Sequence, residues 1–236
     1  RMSLSNPVFI PGPTNLPDSI RRAIDLPTVD HRSPAFAASL PQLFDGLKQV
    51  VGTTTGKIFI FPGTGTGGWE ATIANTLSRG DRVLAFRHGV FSDKWIRMCQ
   101  NFGLIVDVID CDWRGPADPS QIEAILRADT GRQIKAVLAT HNETATGVRS
   151  DLASIREAID HAGSDALFFV DGVSSIASMD FQMDEWGIDA AVTGSQKGLM
   201  LPAGLSIVAL SQKARDAGRN AGLPRFFFDC EIMGAM

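Results

Sequence analysis

A lone lysine carries the most chemical weight in this chain. Lys197 sits in Ala190-Ala191-Val192-Thr193-Gly194-Ser195-Gln196-Lys197-Gly198-Leu199, where an apolar β-branched run gives way to a turn of small residues. No other charged residue falls within six positions on either side, and Asp189 and Lys213 are the nearest. Desolvation disfavours a charged amine, so such surroundings lower its pKa. A neutral amine can attack a carbonyl carbon and form a Schiff base. The same stretch also fits a lysine that ends a buried strand with its stem packed and its head in water.

Three further stretches hold groups that would complement such an amine. Gly63-Thr64-Gly65-Thr66-Gly67-Gly68 follows an apolar run and precedes Trp69-Glu70, which reads as a helix opening. Glycines let backbone N–H groups approach an anion, the hydroxyls add donors, and a helix N-terminus favours negative charge. The spacing matches G-x-G-x-x-G literally, but the next apolar run ends in Phe86-Arg87, with no acid to hold a ribose. About sixty residues precede the glycines, and no Lys-Ser/Thr follows them. A structural glycine-rich turn stays open there. Asp171 ends the run Leu167-Phe168-Phe169-Val170. A carboxylate in that place is costly unless a metal, an arginine or a protonated ring nitrogen pairs with it; a helix cap is the plainer alternative. Thr140-His141-Asn142-Glu143-Thr144-Ala145-Thr146-Gly147-Val148 is dense in hydrogen-bonding side chains. It is either a site loop or a turn that caps a helix near Asp151.

The elements that must position these groups are legible as alternating patterns. Short apolar runs fall at 58–61, 83–86, 105–109, 136–140, 167–170, 190–193 and 205–210. Amphipathic segments lie between most of them, at 69–77, 91–102, 119–128 and 151–162. This predicts an α/β fold with a mostly parallel, seven-stranded mixed sheet and helices on both faces. Residues 196–204 are too few for a parallel crossover, so the last two strands should be antiparallel. Residues 1–17 carry four prolines and read as an extended arm. A short helix follows through Ile24, then a loop from Pro27 to Pro34. A helical repeat runs from Phe36 to Val51, interrupted early by Pro41.

Ligands of such sheets bind beyond the carboxyl ends of the strands, where all these groups fall. A phosphate cradle, a buried carboxylate and a low-pKa amine complement the phosphate, ring nitrogen and aldehyde of pyridoxal 5'-phosphate. Bulk composition excludes other classes. The chain has 236 residues, is 44% hydrophobic and carries a formal charge of −4, so no nucleic-acid partner is implied. No apolar window of about 18 residues suggests a membrane span. The N-terminus does not read as a signal peptide. Three widely spaced cysteines fit a reducing cytoplasm. No Cys/His cluster has metal-ligand spacing, so no metal is expected.

The chain resembles the class V aminotransferases of fold type I, in the serine-, aspartate- and alanine-glyoxylate branch. The likeness runs from about Asn6 to Asp229. It rests on Pro11-Gly12-Pro13-Thr14-Asn15, Asp30-His31-Arg32-Ser33, Gly65-Thr66-Gly67-Gly68-Trp69-Glu70, His141-Asn142-Glu143-Thr144, Val170-Asp171-Gly172-Val173-Ser174-Ser175 and Gly194-Ser195-Gln196-Lys197-Gly198. The resemblance implies transfer of an amino group from serine, aspartate or alanine to glyoxylate, giving glycine and a 2-keto acid. It implies that Lys197 holds pyridoxal phosphate as an internal aldimine and that Asp171 pairs with the ring nitrogen. Thr64, Gly65, Thr66 and Gln196 would hold the phosphate. Phe91 and Val173 would pack on the two ring faces, and Thr144 would bond the phenolic oxygen. Gly12 and Asn15 would line the substrate entrance. Family members continue into a smaller C-terminal domain that supplies an arginine for the substrate carboxylate. The expected organisation is therefore an arm (1–17) and a cofactor-binding large domain (18–236), with that small domain missing. A homodimer is implied, helped by an exposed Phe226–Phe228 run.

Other readings stay open. A cysteine desulfurase or carbon–sulfur lyase shares the fold, but it usually has histidine before the lysine and needs a mobile cysteine; neither Cys99 nor Cys111 suits that task. A non-catalytic fragment of the large domain is a second reading. A nucleotide-binding protein, resting on the glycines alone, is a third.

Overall fold

The structure is a computed structural model and describes residues 8–234; Arg1 to Pro7 of the expected arm lie outside the described residues. Among the described residues nine strands form: β1 (Lys57–Gly63), β2 (Arg82–Arg87), β3 (Ile105–Asp110), β4 (Ile134–Thr140), β5 (Asn142–Glu143), β6 (Val148–Arg149), β7 (Leu167–Asp171), β8 (Ala190–Gly194) and β9 (Gly204–Leu210). Seven of them make one sheet in the order β1-β9-β8-β7-β4-β2-β3. β9 is antiparallel to both its neighbours, β8 and β1, while the other pairs are parallel. The predicted α/β mixed sheet and its antiparallel end are therefore present.

Continuous apolar runs become central strands because both faces are covered. Along β7, Phe168 and Val170 join one core, with α2 (Pro34–Val51), α5 (Pro119–Ala128) and α6 (Leu152–His161). Leu167 and Phe169 turn the other way, toward α3 (Gly65–Thr76), α4 (Val90–Asn101) and α7 (Gln212–Gly218). Each fully buried phenylalanine contributes about 1.5–3 kcal/mol relative to exposure. Two short helices, α1 (Asp18–Ile24) and α8 (Cys230–Gly234), lie near the ends of the chain.

Four details differ from the sequence reading. Pro41 does not interrupt α2, which starts at Pro34 behind a Ser33 cap and runs through to Val51. Pro41 and Ala37 are both exposed, so the carbonyl that loses its bond can meet water. Helix α3 starts at Gly65, not at Trp69, so the glycine run is its first turn. The Thr140–Val148 loop contains a small hairpin, β5–β6. Phe228 is not exposed: it is half-buried, with its ring edge-on to Phe61 at 5.3 Å, while Phe226 and Phe227 stay exposed.

Gly68 lets α3 sit close on the sheet, since a Cβ there would lie 2.5 Å from both Val192 Cγ1 and Ser206 Oγ. Val192 and Ser206 are fully buried and have no room to yield. Gly68→Ala should therefore destabilise by about 1–3 kcal/mol despite better helix propensity. Gly46, in the exposed part of α2, has nothing within 4 Å of a built Cβ. Gly46→Ala should stabilise by about 0.5–1 kcal/mol. Urea unfolding of the pair checks this; equal signs would show that packing at Gly68 is looser than described.

Candidate active site

Neighbouring strands bring distant residues level at one edge of the sheet. Thr140 of β4 pairs with Asp171 of β7, which pairs in turn with Val192 of β8. Beyond this edge lies a cavity of about 220 Å³. Its lining includes the cradle residues Thr64, Gly65 and Thr66, the acid Asp171, and Gln196 with Lys197. Gly12, Phe91, Thr144 and Val173 line it as well. Ten of the eleven candidate site residues thus meet in one place. Asn15 does not line it: its amide is bonded to both backbone groups of Val8, at 3.0 and 2.8 Å. A larger cavity, about 300 Å³ beside Lys57, Arg215 and Arg219, contains none of these groups.

The turn that presents Lys197 is tied at several points. The Ser195 hydroxyl donates to the Pro202 carbonyl at 2.6 Å and accepts the Leu205 amide at 3.2 Å. The Thr14 amide donates to the Gln196 carbonyl at 3.1 Å, and the Thr14 hydroxyl to the Lys197 carbonyl at 3.3 Å. Gly12 passes so near the lysine that a Cβ would lie 2.4 Å from Lys197 Cδ. Gly12 has φ of +155°, which side chains disfavour as well. Lys197 is half-buried, and loss of hydration pulls its pKa below the usual lysine value, with the charge of Asp171 opposing.

Asp171 is 4% exposed. Among the described residues its side chain takes one hydrogen bond, from the Val173 amide at 2.9 Å. Burial pushes its pKa up to about 7; the Val173 amide holds it down, the Glu143 charge raises it, and Trp69 and Lys197 lower it. The Trp69 indole N–H is near enough to lower that pKa, yet it completes no hydrogen bond of normal geometry. A carboxylate so placed asks for a positive partner from outside the chain.

The cradle is the first turn of α3. Thr64 is the cap, accepting the Gly67 amide at 3.4 Å, which leaves the Gly65 and Thr66 amides at the cavity end of the helix. A Cβ at Gly65 would lie 2.5 Å from Val173 Cγ2, so only glycine fits between cradle and cavity wall. Lys94 donates to the Thr66 hydroxyl at 3.2 Å and brings a positive charge to this corner. The side-chain oxygen of Gln196 is buried without a partner.

Some candidate chemistry is ruled out by its surroundings. His141 bonds Ser175 through Nδ1 at 2.9 Å and packs edge-on to Phe181 and Trp186. Burial, with Arg149 adding to it, pulls its pKa down to about 4, so it is a neutral core residue. Burial raises the thiol pKa of all three cysteines, to about 12 for Cys99 and Cys230. None of them lines the cavity, which disfavours a sulfur-transfer site. Arg87 pairs with Asp93 and Asp110, and no ribose-binding acid stands at the end of β2. No cluster of metal-binding side chains occurs among the described residues, and no helix there is long and apolar enough to cross a membrane. Sequence reasoning gave no role to Trp69, Glu143 or Lys94. Trp69 was findable, since it falls four residues after Gly65, on the same face of a helix.

An amine, a desolvated acid and a helix N-terminus thus meet at the carboxyl edge of a mixed α/β sheet. The family model of the class-V aminotransferases matches residues 28–221. The chain belongs to that family. It is 58% identical over 232 residues to the L-aspartate–glyoxylate aminotransferase of Paracoccus denitrificans, covering 98% of this chain and 59% of the relative. It is 53% identical to the serine–glyoxylate aminotransferase of Methylorubrum extorquens, covering 96% and 58%. The crystal structure of the ureidoglycine–glyoxylate aminotransferase of Bacillus subtilis superposes with a TM-score of 0.88 at 29% identity, over 97% of this chain and 59% of that one. The chain thus spans about three-fifths of the length of the relatives it matches.

The raised pKa of Asp171 has a measurable consequence. Its folded value of about 7 exceeds the unfolded 3.8, so its contribution to stability is fully present below about 3.8 and is lost as pH rises toward 7. His141, with a folded value near 4 against 6.5, acts in the opposite direction, gaining stability over that range. The stability of the cofactor-free wild type minus that of Asp171→Asn isolates the acid. That difference should fall with rising pH between about 4 and 7, by up to about 1.4 kcal/mol per unit. A difference independent of pH would show an ordinary, solvated aspartate.

Proposed function

We propose that this chain is the cofactor-binding part of a pyridoxal-phosphate-dependent aminotransferase with glyoxylate as amino acceptor. The donor is a small amino acid (serine, aspartate or alanine), and the products are glycine and a 2-keto acid. The observation that carries the reading is the pair Lys197 and Asp171, a depressed amine and a buried acid without a salt bridge, lining one cavity with the α3 N-terminus. The names of the Paracoccus and Methylorubrum relatives support the acceptor and two of the donors.

The residues present fit the cofactor. Asp171 lacks the cation that a pyridinium nitrogen would be. The bare Gly65 and Gly12 leave space that any Cβ would fill. When bound, pyridoxal phosphate supplies an aldehyde carbon to carry the amino group and a ring that accepts electrons. In this reading Lys197 Nζ anchors that aldehyde. The same Nζ, as a neutral amine, would take a proton from the α-carbon of a substrate held in the cavity. The carboxylate of Asp171 keeps a proton on the ring nitrogen by charge pairing. The amides of Gly65 and Thr66, the hydroxyls of Thr64 and Thr66, and Gln196 hold the phosphate. Phe91 and Val173 would pack on the ring faces, Thr144 would donate to its phenolic oxygen, and Gly12 would border the substrate entrance. A homodimer fits the exposed Phe226 and Phe227, and a reducing, cytoplasmic setting suits three unpaired thiols.

The test is a donor panel. The whole polypeptide, loaded with cofactor, is given glyoxylate with serine, aspartate or alanine, and glycine is measured. At least one donor should yield glycine, and Lys197→Ala should lose about a thousandfold or more in rate. Sulfide release from cysteine, with no glycine from any donor, would replace this reading with the lyase one.

A further inference from the structure

Helix α4 begins without a side chain of its own to close it. Its cap is Gly89, and the Ser92 hydroxyl is spent on the Gly89 carbonyl and the His88 amide. The cap comes instead from Glu143, a fully buried residue fifty-odd positions away. Glu143 Oε2 accepts the Ser92 amide at 2.9 Å and the Phe91 amide at 3.1 Å. Glu143 Oε1 accepts the Phe91 amide at 3.2 Å and the Ala145 amide at 3.1 Å. A negative charge at a helix N-terminus is favourable, and these three amides compensate its burial.

Gly89 adapts to this carboxylate. Its φ is 170°, ordinary extended backbone that any residue adopts, so the conformation does not demand glycine. Space does: a Cβ there would lie 2.2 Å from Glu143 Cγ. The two ends of the carboxylate reach two elements, α4 and the β5–β6 hairpin. The first carries Phe91 and the second carries Thr144, and both side chains line the cavity.

We propose that Glu143 is a positioning residue for the cofactor ring: one carboxylate, bonded to the start of α4 and to the β5–β6 hairpin, sets Phe91 and Thr144 together against the cavity. The inference rests on the function proposed above and adds a residue that touches neither substrate nor cofactor. Glutamine has the same size but offers an NH₂ where an acceptor is needed, so Glu143→Gln must lose either the Ser92 amide of α4 or the Ala145 amide of the hairpin.

The test uses the whole polypeptide, stripped of cofactor and titrated with pyridoxal phosphate, with affinity read from visible absorbance and ring geometry from visible circular dichroism. Wild type, Glu143→Gln, Gly89→Ala and Asp184→Asn are compared. Gly89→Ala displaces the carboxylate without removing it, so it stands in if Glu143→Gln fails to fold. Asp184 takes the Thr53 hydroxyl and the Thr54 and Thr55 amides outside the cavity, and serves as the purely structural control. Glu143→Gln and Gly89→Ala should each weaken binding by about tenfold or more and change the dichroic band of the bound cofactor. Asp184→Asn should lower the melting temperature and leave affinity within about twofold. Wild-type affinity and an unchanged band in Glu143→Gln, or in Gly89→Ala should the first not fold, would overturn the inference alone. A wild type that takes up no cofactor would overturn the functional reading and this inference with it.

Discussion

Exclusion of water from one edge of the sheet is the constraint that the rest of the structure serves. In water an aspartate is ionised and a lysine protonated, and a protonated lysine cannot attack a carbonyl carbon. At the end of β7 the hydration is gone, and just past β8 it is reduced. Asp171 is driven up to about 7 and Lys197 is driven down. Burial dominates both shifts, and the attraction between the two groups only moderates them. The fold tolerates an unpaired acid there because its cores hold so many buried aromatic and aliphatic side chains on each face.

Close approach does the rest. Gly65 lets the cradle meet Val173, Gly12 lets the arm cross the lysine stem, and Gly89 admits the Glu143 carboxylate beneath α4. In each case the missing Cβ brings a polar backbone or a charged group nearer to the cavity than any other residue allows. The site is thus made by main chain as much as by side chains, with strand order setting which residues meet.

Much of this was written locally in the chain. Strands buried on both faces appear as unbroken apolar runs, such as Leu167–Val170, so all seven strands of the large sheet were legible. Lys197 and Asp171 stood out because each is a charge against apolar sequence. Other features depend on tertiary contacts that no window contains. Glycines are poor helix formers, so Gly65–Gly68 read as a loop, yet α3 keeps them because they pack against Val173, Val192 and Ser206. Pro41 read as a break, but its unbonded neighbour faces water. Two-residue strands such as β5 and β6 have no period to detect. The role of Glu143 was hidden because its partners, Phe91 and Ser92, are about fifty residues away. Phe228 read as exposed alongside its neighbours, although it covers Phe61 and Gly67.

The central claim is that the nitrogen of Lys197 carries the cofactor. Borohydride reduction of the cofactor-loaded polypeptide makes such a bond permanent, and peptide mass mapping then locates it. The account predicts one reduced pyridoxyl group per chain, on the peptide containing Gln196-Lys197-Gly198. A label on another lysine, or none after reduction of a protein that has bound the cofactor, would contradict it.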